Sequence, residues 1–488
     1  MIWQGPRDRF FIGGEWVAPA SDRTVDMISP FTEEKMATVA IGSRADIDRA
    51  VAAARRAFDH GPWPRMTLDE RITVLRRLSA LIGENQVLLA QLVTEEMGCP
   101  ITLSTSMQAI GPRVLLDSHL DLVPQYPFEY VRQSATGNGL VRRRALGVVA
   151  AVIPWNAPFL LGIIKLAPAL LTGNTVVLKP ALETPLSGYL LAELAQKAGL
   201  PEGVINVVPA DREESEYLCV HPGVDKVSFT GSSAAGQRLG GLCGQMFRPI
   251  TLELGGKSAA LILDDADIPL AVESLRVGSL RNSGQVCSNK TRIVVSRRRQ
   301  AEFVEAFAAM MAAMPVGDPM DPATQIGPLV AARQRDRVEG YIAKGRAEGA
   351  RLVLGGGRPP GLNRGWFVEP TLFDNVDPNS TIAQEEIFGP VVSVMSFDTE
   401  DEAVAIANNS VYGLNGSVFS ADVDRAVGLA RRIDTGTVEI NGNGAGFASP
   451  MGGFKKSGVG REAGLEVFDG YVQTHTVGVP KAYADARA

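Results

Sequence analysis

From Gly147 onward the chain alternates apolar runs of strand length with runs of helix length, and few architectures accept that pattern. "GVVAAVIP" (147–154), "NTVVLKP" (174–180), "GVINVVP" (203–209) and "KVSFTG" (226–231) read as buried strands, rich in β-branched residues and stopped by Gly, Pro or Asn. "APFLLGIIKLAPALLTG", "TPLSGYLLAELAQKAGLP" and "SAAGQRLGGLCGQ" between them read as helices. Strands that are apolar throughout and joined by helices need a parallel sheet covered on both faces, the doubly wound α/β class. A second series follows, with strands in 257–267, 291–298, 390–397, 416–420 and 436–441 and helices in 297–314 and 333–350. The break between the series falls near Glu253–Lys257.

Residues 145–172 are apolar enough to span a membrane, but Pro154, Pro158 and Pro168 interrupt any single helix and Lys165 sits in the middle. A strand, a loop and a buried helix are expected there. "YVRQSATGNGLVRRRALGVV" predicts a β-hairpin turning at Thr136–Gly139, with Asn138-Gly139 as its turn signal. Neither this arm nor the extended "GYVQTHTVGVP" has a local element to cover it, which predicts pairing with a second subunit in a homodimer or homotetramer.

Forty-eight basic and 54 acidic residues give a formal charge of −6, without the concentrated basic face that nucleic-acid binding needs. The runs Arg142–Arg144 and Arg297–Arg299 read as solvated edges. Four cysteines without a CxxC pair, and four histidines without ligand spacing, predict neither disulfide nor metal. The opening "MIWQGPRDRF" has no apolar signal core, so a reducing, cytoplasmic location is expected.

Four stretches carry residues suited to chemistry. "FTGSSAAG" (229–236) places Gly231 and Ser232 between a strand end and a helix start, where free N–H groups can meet a pyrophosphate; an ordinary strand–helix turn reads the same way. "LGGGRPPG" (354–361) has glycines but no following helix and reads as a surface loop. In "TLELGGKS", Glu253 lies between Leu252 and Leu254, surroundings that raise a carboxyl pKa toward that of a general base; a strand-end Glu paired to a Lys is the alternative. In "NSGQVCSNK", small polar neighbours put Cys287 in a loop or tight helix start, where a thiol is more readily ionised; Cys219 and Cys243 read as buried filler. Asn156, in "IPWNAPF", follows a strand's C-terminal end and can donate to an oxyanion or simply form the turn.

Taken in order, "PWNAPF", "TVVLKP", "FTGSSAAG", "LELGGKS", "GQVCSN", "EEIFGPVV" and "PMGGFKKSGVGRE" resemble the aldehyde dehydrogenase superfamily, in its hydrolytic, non-acylating branch. "FIGGEWV" and "YVQTHTVGVP" are similar to its ends, so the resemblance covers nearly the whole chain. It implies two doubly wound α/β domains and a small β arm. The cofactor-binding domain would take residues 1–126 and 148–253, rejoined by 449–466; the catalytic domain 254–448; the oligomerisation arm 127–147 and 467–488.

The same resemblance implies Cys287 as nucleophile toward an aldehyde, Asn156 and the Cys287 N–H as oxyanion donors, Glu253 as base, and Glu462 as a carboxylate relaying protons to it. The cofactor would be NAD, with NADP open. Lys179 would reach the adenine ribose, and Phe229, Gly231 and Ser232 the adenine and pyrophosphate. Glu386 would hold the nicotinamide ribose, with Phe388, Pro154, Trp155 and Leu254 lining the cleft. Many NAD-linked members carry Glu three residues after that Lys; here Leu182 stands there, beside Glu183, and "VPADREES" lacks the glycines often found on the phosphate side. Ala157, Phe159, Leu160, Leu161, Ile164, Val286 and Phe447 would line a mostly aliphatic substrate pocket, with Met451 where Phe is frequent and no obvious Arg to anchor a second carboxylate. A hydrophobic aldehyde is the expected substrate. A CoA-acylating enzyme usually lacks the base at the Glu253 position, and a catalytically silent structural member would have lost the nucleophile, base or donor; all three are present.

Overall fold

The computed structural model describes residues 2–487. Its larger sheet has eight strands, centred on five parallel ones: Val148–Val152, Thr175–Lys179, Ile205–Val207, Lys226–Thr230 and Ile250–Glu253. Every residue of the first four is buried, which is why they read as unbroken apolar runs rather than alternating ones. An antiparallel hairpin, Phe10–Ile12 with Glu15–Val17, extends one edge, and Gly458–Val459 closes the other.

Across the sheet the five parallel strands lie in the order third, second, first, fourth, fifth. Chain direction of travel therefore reverses between Val148–Val152 and Lys226–Thr230. In a doubly wound sheet the crevice beyond the strand ends at that reversal is the ligand site. The residues that leave these two strands are Ile153–Asn156 and Gly231–Ser232.

The second sheet has seven strands. Six are parallel: Ala259–Ile262, Arg292–Ser296, Thr371–Asp374, Val391–Phe397, Asn415–Phe419 and Thr437–Ile440. Arg351–Leu354 adds an antiparallel edge. This edge and Thr371–Asp374 were not legible as strands; each has four residues, too few to show a period. The fold class is the mixed α/β one expected.

Helix Pro158–Leu171 starts on a proline, whose missing N–H is no loss in a first turn, and buries nearly its whole circumference, including Lys165. Among the described residues no helix is long and apolar enough to cross a membrane. The "LGGGRPPG" loop is no anion cradle: the N–H groups of Gly356 and Gly357 already donate to Thr371 Oγ1 and Glu369 Oε2, at 3.0 and 3.1 Å.

The arm is a three-stranded antiparallel sheet in which Gly137–Ala145 lies between Glu129–Ser134 and Val472–Val479. The expected turn is displaced. Ser134 pairs with Gly137, so the turn is Ala135–Thr136, and Asn138 and Gly139 sit inside the strand opposite Gln133 and Arg132. The C-terminal strand explains this. It pairs with every residue from Asn138 to Ala145, and that long ladder outweighs a local turn signal.

Asn174 ties this arm to the main sheet. Its Oδ1 accepts from Gly147 N–H at 2.8 Å, and its Nδ2 donates to Thr172 Oγ1 at 2.8 Å and to Tyr471 O at 2.9 Å. All four groups are buried, so removing the amide strands backbone groups at two strand ends. Asn174→Ala is expected to lose about 2 kcal/mol of unfolding free energy, read as a lower urea midpoint; a loss below about 0.5 kcal/mol would show that water replaces the amide.

Candidate functional site

At the reversal point lies a cavity of about 240 Å³ between the two sheets, lined by Pro154, Trp155, Asn156, Leu161, Thr230, Gly231, Ser232, Leu254, Gly255, Cys287, Glu386 and Phe388, with Gln334 and Arg337. Motifs more than two hundred residues apart in the chain thus meet in one cleft. A second, narrower cavity of about 160 Å³ holds Lys179 and Phe229.

Cys287 is half-buried and free. No helix begins at it: Cys287 and Ser288 form a turn. Of the two placements expected, the loop is the one that forms, and the ready ionisation expected of a helix start does not come with it. Burial pushes the Cys287 thiol up to about 12, Glu386 and Glu253 add to the rise, and the Arg281 guanidinium opposes it. Arg281 donates to Ser288 Oγ at 3.2 Å, next to the cysteine.

The approach to Cys287 is strained. Asn282 and Ser283 both hold φ of 55°, followed by Gly284 at 79°. Non-glycine residues adopt this region at a cost, and here side-chain bonds hold them in it. Ser283 Oγ donates to Gly327 O at 2.8 Å, and Asn282 Nδ2 to Asn156 O at 3.2 Å. Asn156 returns the contact, its Nδ2 donating to Gln285 O at 3.0 Å. A carboxamide NH₂ has two hydrogens, so one remains to point into the cleft beside Cys287.

Gly255 and Gly256 let the other wall approach. A Cβ at Gly255 would stand 2.5 Å from Glu386 Oε2, and one at Gly256 2.5 Å from Cys287 O. Gly256 N–H donates to Glu386 Oε1 at 3.0 Å. Phe388, at φ 63°, meets Trp155 edge-on at 5.4 Å, and Gln334 holds its carbonyl at 2.8 Å. Arg337 donates to Glu386 O at 2.7 Å.

Glu253 ends its strand behind this cavity rather than on its wall. It is buried, its Oε1 lacks a hydrogen-bond partner, and a Cβ at Gly452 would come within 2.9 Å of that oxygen. Burial first, and then the nearby Glu462 charge, raise its pKa well above the ordinary carboxylate value; Lys165 and Arg461 work against the rise. Glu462 is fully buried and ion-paired to Lys165 at 2.6 Å, and Lys165 also reaches Ser228 Oγ at 3.3 Å. The alternative of a Glu253–Lys ion pair at the strand end is not what forms: the lysine binds Glu462.

Of the seven expected pocket residues, Leu161 lines the main cavity. Ala157, Phe159 and Ile164 are buried, Leu160, Val286 and Phe447 half-buried. Met451 exchanges two backbone bonds with Glu462, at 2.6 and 2.7 Å. Arg281, Lys165, Gln334 and Arg337 were not singled out as site residues from sequence. Arg281 stands immediately before the quoted stretch that begins at Asn282; Gln334 and Arg337 sit on a helix that read as ordinary.

The aldehyde dehydrogenase family model matches residues 16–477. The chain belongs to the aldehyde dehydrogenase family. It is 47% identical to the geranial dehydrogenase of Castellaniella defragrans, over 96% of this chain and 98% of that one. It is 39% identical to the betaine aldehyde dehydrogenase of Rhizobium leguminosarum bv. trifolii, over 97% of each chain. The NAD⁺ complex of a Mycobacterium tuberculosis aldehyde dehydrogenase is similar in structure with a TM-score of 0.96, at 46% identity over 98% of this chain and 99% of that one. A Pseudomonas syringae aldehyde dehydrogenase complexed with NAD⁺ and octanal scores 0.93, at 40% identity over 96% of each chain. The protein is thus an NAD-dependent aldehyde dehydrogenase.

Because burial keeps the thiol protonated, iodoacetamide alkylation of Cys287 in the free enzyme is expected to keep accelerating with pH and to show no plateau below about pH 10. Arg281→Met should slow it further at each pH, and a plateau near neutrality would overturn this account. Cys99 and Cys219 are fully buried with their thiols likewise raised to about 12, so they do not compete.

Proposed function

We propose that the dehydrogenase oxidises a hydrophobic aldehyde to its carboxylic acid through a thioester on Cys287. The observation that carries this reading is the meeting of the Cys287 thiol and the Asn156 carboxamide in one crevice, with the buried Glu253 carboxylate, its pKa raised, behind it.

The dinucleotide's place is supported by features that otherwise lack a purpose. Thr230 Oγ1 is buried without a partner, and Gly255 leaves a gap that a side chain would fill against Glu386. Lys179 and Phe229 would hold the adenosine, Gly231 and Ser232 the pyrophosphate, and Glu386 the nicotinamide ribose, with Phe388, Trp155, Pro154 and Leu254 around it. NAD bound there supplies the acceptor for the aldehyde's hydride.

The chain's own steps then follow. Cys287 gives its proton to Glu253, which sheds it before the second half of the reaction, and its sulfur bonds to the carbonyl carbon. The C=O pair becomes an oxyanion, received by the free Asn156 N–H and the Cys287 backbone N–H. Oxidation leaves the thioester. Glu253 removes a proton from water, which attacks the thioester and releases acid and thiol. Glu462, held by Lys165 and close enough for its charge to raise the Glu253 pKa, would exchange protons with that base.

Leu161, Leu254, Trp155 and Phe388 on the cavity wall favour an apolar substrate, and the geranial and octanal of the two relatives are of that kind. A homo-oligomer is supported by the arm, whose strand Val472–Val479 is exposed along most of its length. A reducing cytoplasm suits an enzyme whose four cysteines are free.

Cys287→Ala should abolish oxidation while NAD still binds, and Asn156→Ala should lower kcat about 10²–10³-fold. Glu253→Gln should give one rapid turnover of NADH and then stall on the thioester. Strict dependence of oxidation on added CoA would overturn the hydrolytic reading. Because the folded pKa of Glu253 is raised, its basic form appears as pH rises through that raised value. Glu462→Gln removes the repelling charge and unpairs Lys165. The rising limb of kcat against pH should therefore move to lower pH; a limb that stays put would separate Glu462 from the base.

A further inference from the structure

A further cavity, of about 290 Å³, adjoins the loop that carries the nucleophile. It shares no lining residue with the cleft that holds Cys287. The segment from Arg281 to Cys287 is the partition: Arg281 and Asn282 border the one, Cys287 the other. Leu103, Val277, Leu280 and Met314 give the cavity an apolar wall, on which Val277 is 54% exposed. Ser106, also on the wall, belongs to a π-helical turn over Ser104–Ile110. Turns of this kind are rare and occur frequently at functional sites.

Arg276 and Arg281 are the charged residues that line it; among the described residues no aspartate or glutamate does. Arg276 is paired with the exposed Glu273 at 2.8 Å. Arg281 has no ion-pair partner among the described residues: it donates to Ser288 Oγ, a neutral group, and its Nε is buried without a hydrogen bond. Burial works against its charge, and Glu439, the carboxylate that most supports it, is taken by Lys290 at 2.6 Å and Asn415 at 2.9 Å. A guanidinium in that position is costly unless an anion completes it. The complement of an arginine on an apolar cavity is a carboxylate on a hydrocarbon chain. Its charge meets the guanidinium fork, and its chain displaces water from the wall.

We propose that this cavity is a second binding site, which takes an apolar carboxylate with its charge on Arg281 and its chain among Leu103, Val277, Leu280 and Met314. The effect of an occupant follows from where Arg281 stands. The same guanidinium favours the Cys287 thiolate across the loop. A carboxylate bound to it cancels that help, so the occupied enzyme has a slower nucleophile while its dinucleotide cleft is unchanged. The acid released by the oxidation proposed above belongs to this ligand class. Only that link, by which the product restrains the enzyme, rests on the oxidation reading; the site itself does not.

The test is calorimetric titration of the full-length enzyme with octanoate and with octanamide, its uncharged counterpart, in wild type, Arg281→Met and Val277→Trp. Octanoate is expected to bind wild type with a Kd below about 1 mM, and octanamide at least about tenfold more weakly. Each variant should weaken octanoate about tenfold or more, Arg281→Met by removing the charge and Val277→Trp by filling the cavity. Val277→Trp should keep kcat/KM for octanal within about twofold of wild type. Octanoate should also slow iodoacetamide alkylation of Cys287 in wild type and not in Val277→Trp. No binding of octanoate at about 10 mM, or binding that neither variant weakens, would overturn the proposal. So would a Val277→Trp enzyme that loses octanal oxidation as fully as octanoate binding, since the cavity would then be the aldehyde's own route. Octanoate binding that both variants weaken, in a protein that oxidises no aldehyde, would support the site and remove the oxidation reading alone.

Discussion

The reciprocal pair of hydrogen bonds between Asn156 and the Asn282–Gln285 segment is the constraint on which the site depends. Asn156 leaves the first strand of one sheet; the segment leads to the nucleophile from the other. Each amide holds the other loop's backbone carbonyl. Their carbonyl partners are buried, so neither loop can shift without leaving a desolvated oxygen unpaired. That penalty keeps Asn282 and Ser283 in left-handed conformations which they would otherwise leave. It also fixes the donor and the sulfur on the same wall. The opposite wall closes against it because Gly255 and Gly256 have no side chains to hold Glu386 and Cys287 apart.

What the sequence displayed was what burial writes into it. Strands covered on both faces must be apolar at every position, so four of the five central strands were legible, and with them the edge where Asn156 and Gly231 lie; the fifth, Ile250–Glu253, and the order of the strands across the sheet were not. The motifs named the chemistry because each pairs a reactive residue with a local device that serves it: glycines for close approach, small residues for a tight loop. Apart from strands too short to show a period, the failures were non-local. Asn138-Gly139 is a good turn signal overruled by an eight-residue ladder to a strand more than three hundred residues later. Arg281 lay in full view, but only the fold shows its guanidinium at Ser288. The commitment of Glu183 to Arg333 joins residues 150 positions apart, and no spacing rule could have found it.

Burial also decides the resting chemistry. A partly exposed cysteine at a helix start would be ready to react with any electrophile. Cys287 is instead half-buried in a turn with the buried Glu386 and Glu253 nearby, and all three groups are pushed toward their neutral forms. The thiol needs a proton acceptor, and Glu253, with its pKa raised by the same burial, is a stronger base than an exposed carboxylate. Enclosure thus weakens the nucleophile and strengthens the base together, which makes proton removal depend on the base rather than on the solvent.

The remaining balance is set by cations placed around the two acids. Arg281 favours the thiolate and Lys165 favours ionised Glu253. A third buried cation, Lys226, donates to Thr251 Oγ1 at 2.8 Å and lies 5.0 Å from the Tyr471 ring centre. Burial and the neighbouring Lys165 pull its pKa down to about 7, while Glu462 holds it up. Tyr471 and Lys165 share Ser228, at 3.1 and 3.3 Å. The Glu253–Glu462–Lys165 group therefore does not end at its ion pair. It continues through a serine and a tyrosine to an amine that can hold or release a proton near neutrality, at the root of the C-terminal strand. Charge inside this enclosure is consequently a shared quantity: a proton lost by Glu253 alters the field at every member, and the ion pair is one part of a buried set whose net charge sets how basic Glu253 can become.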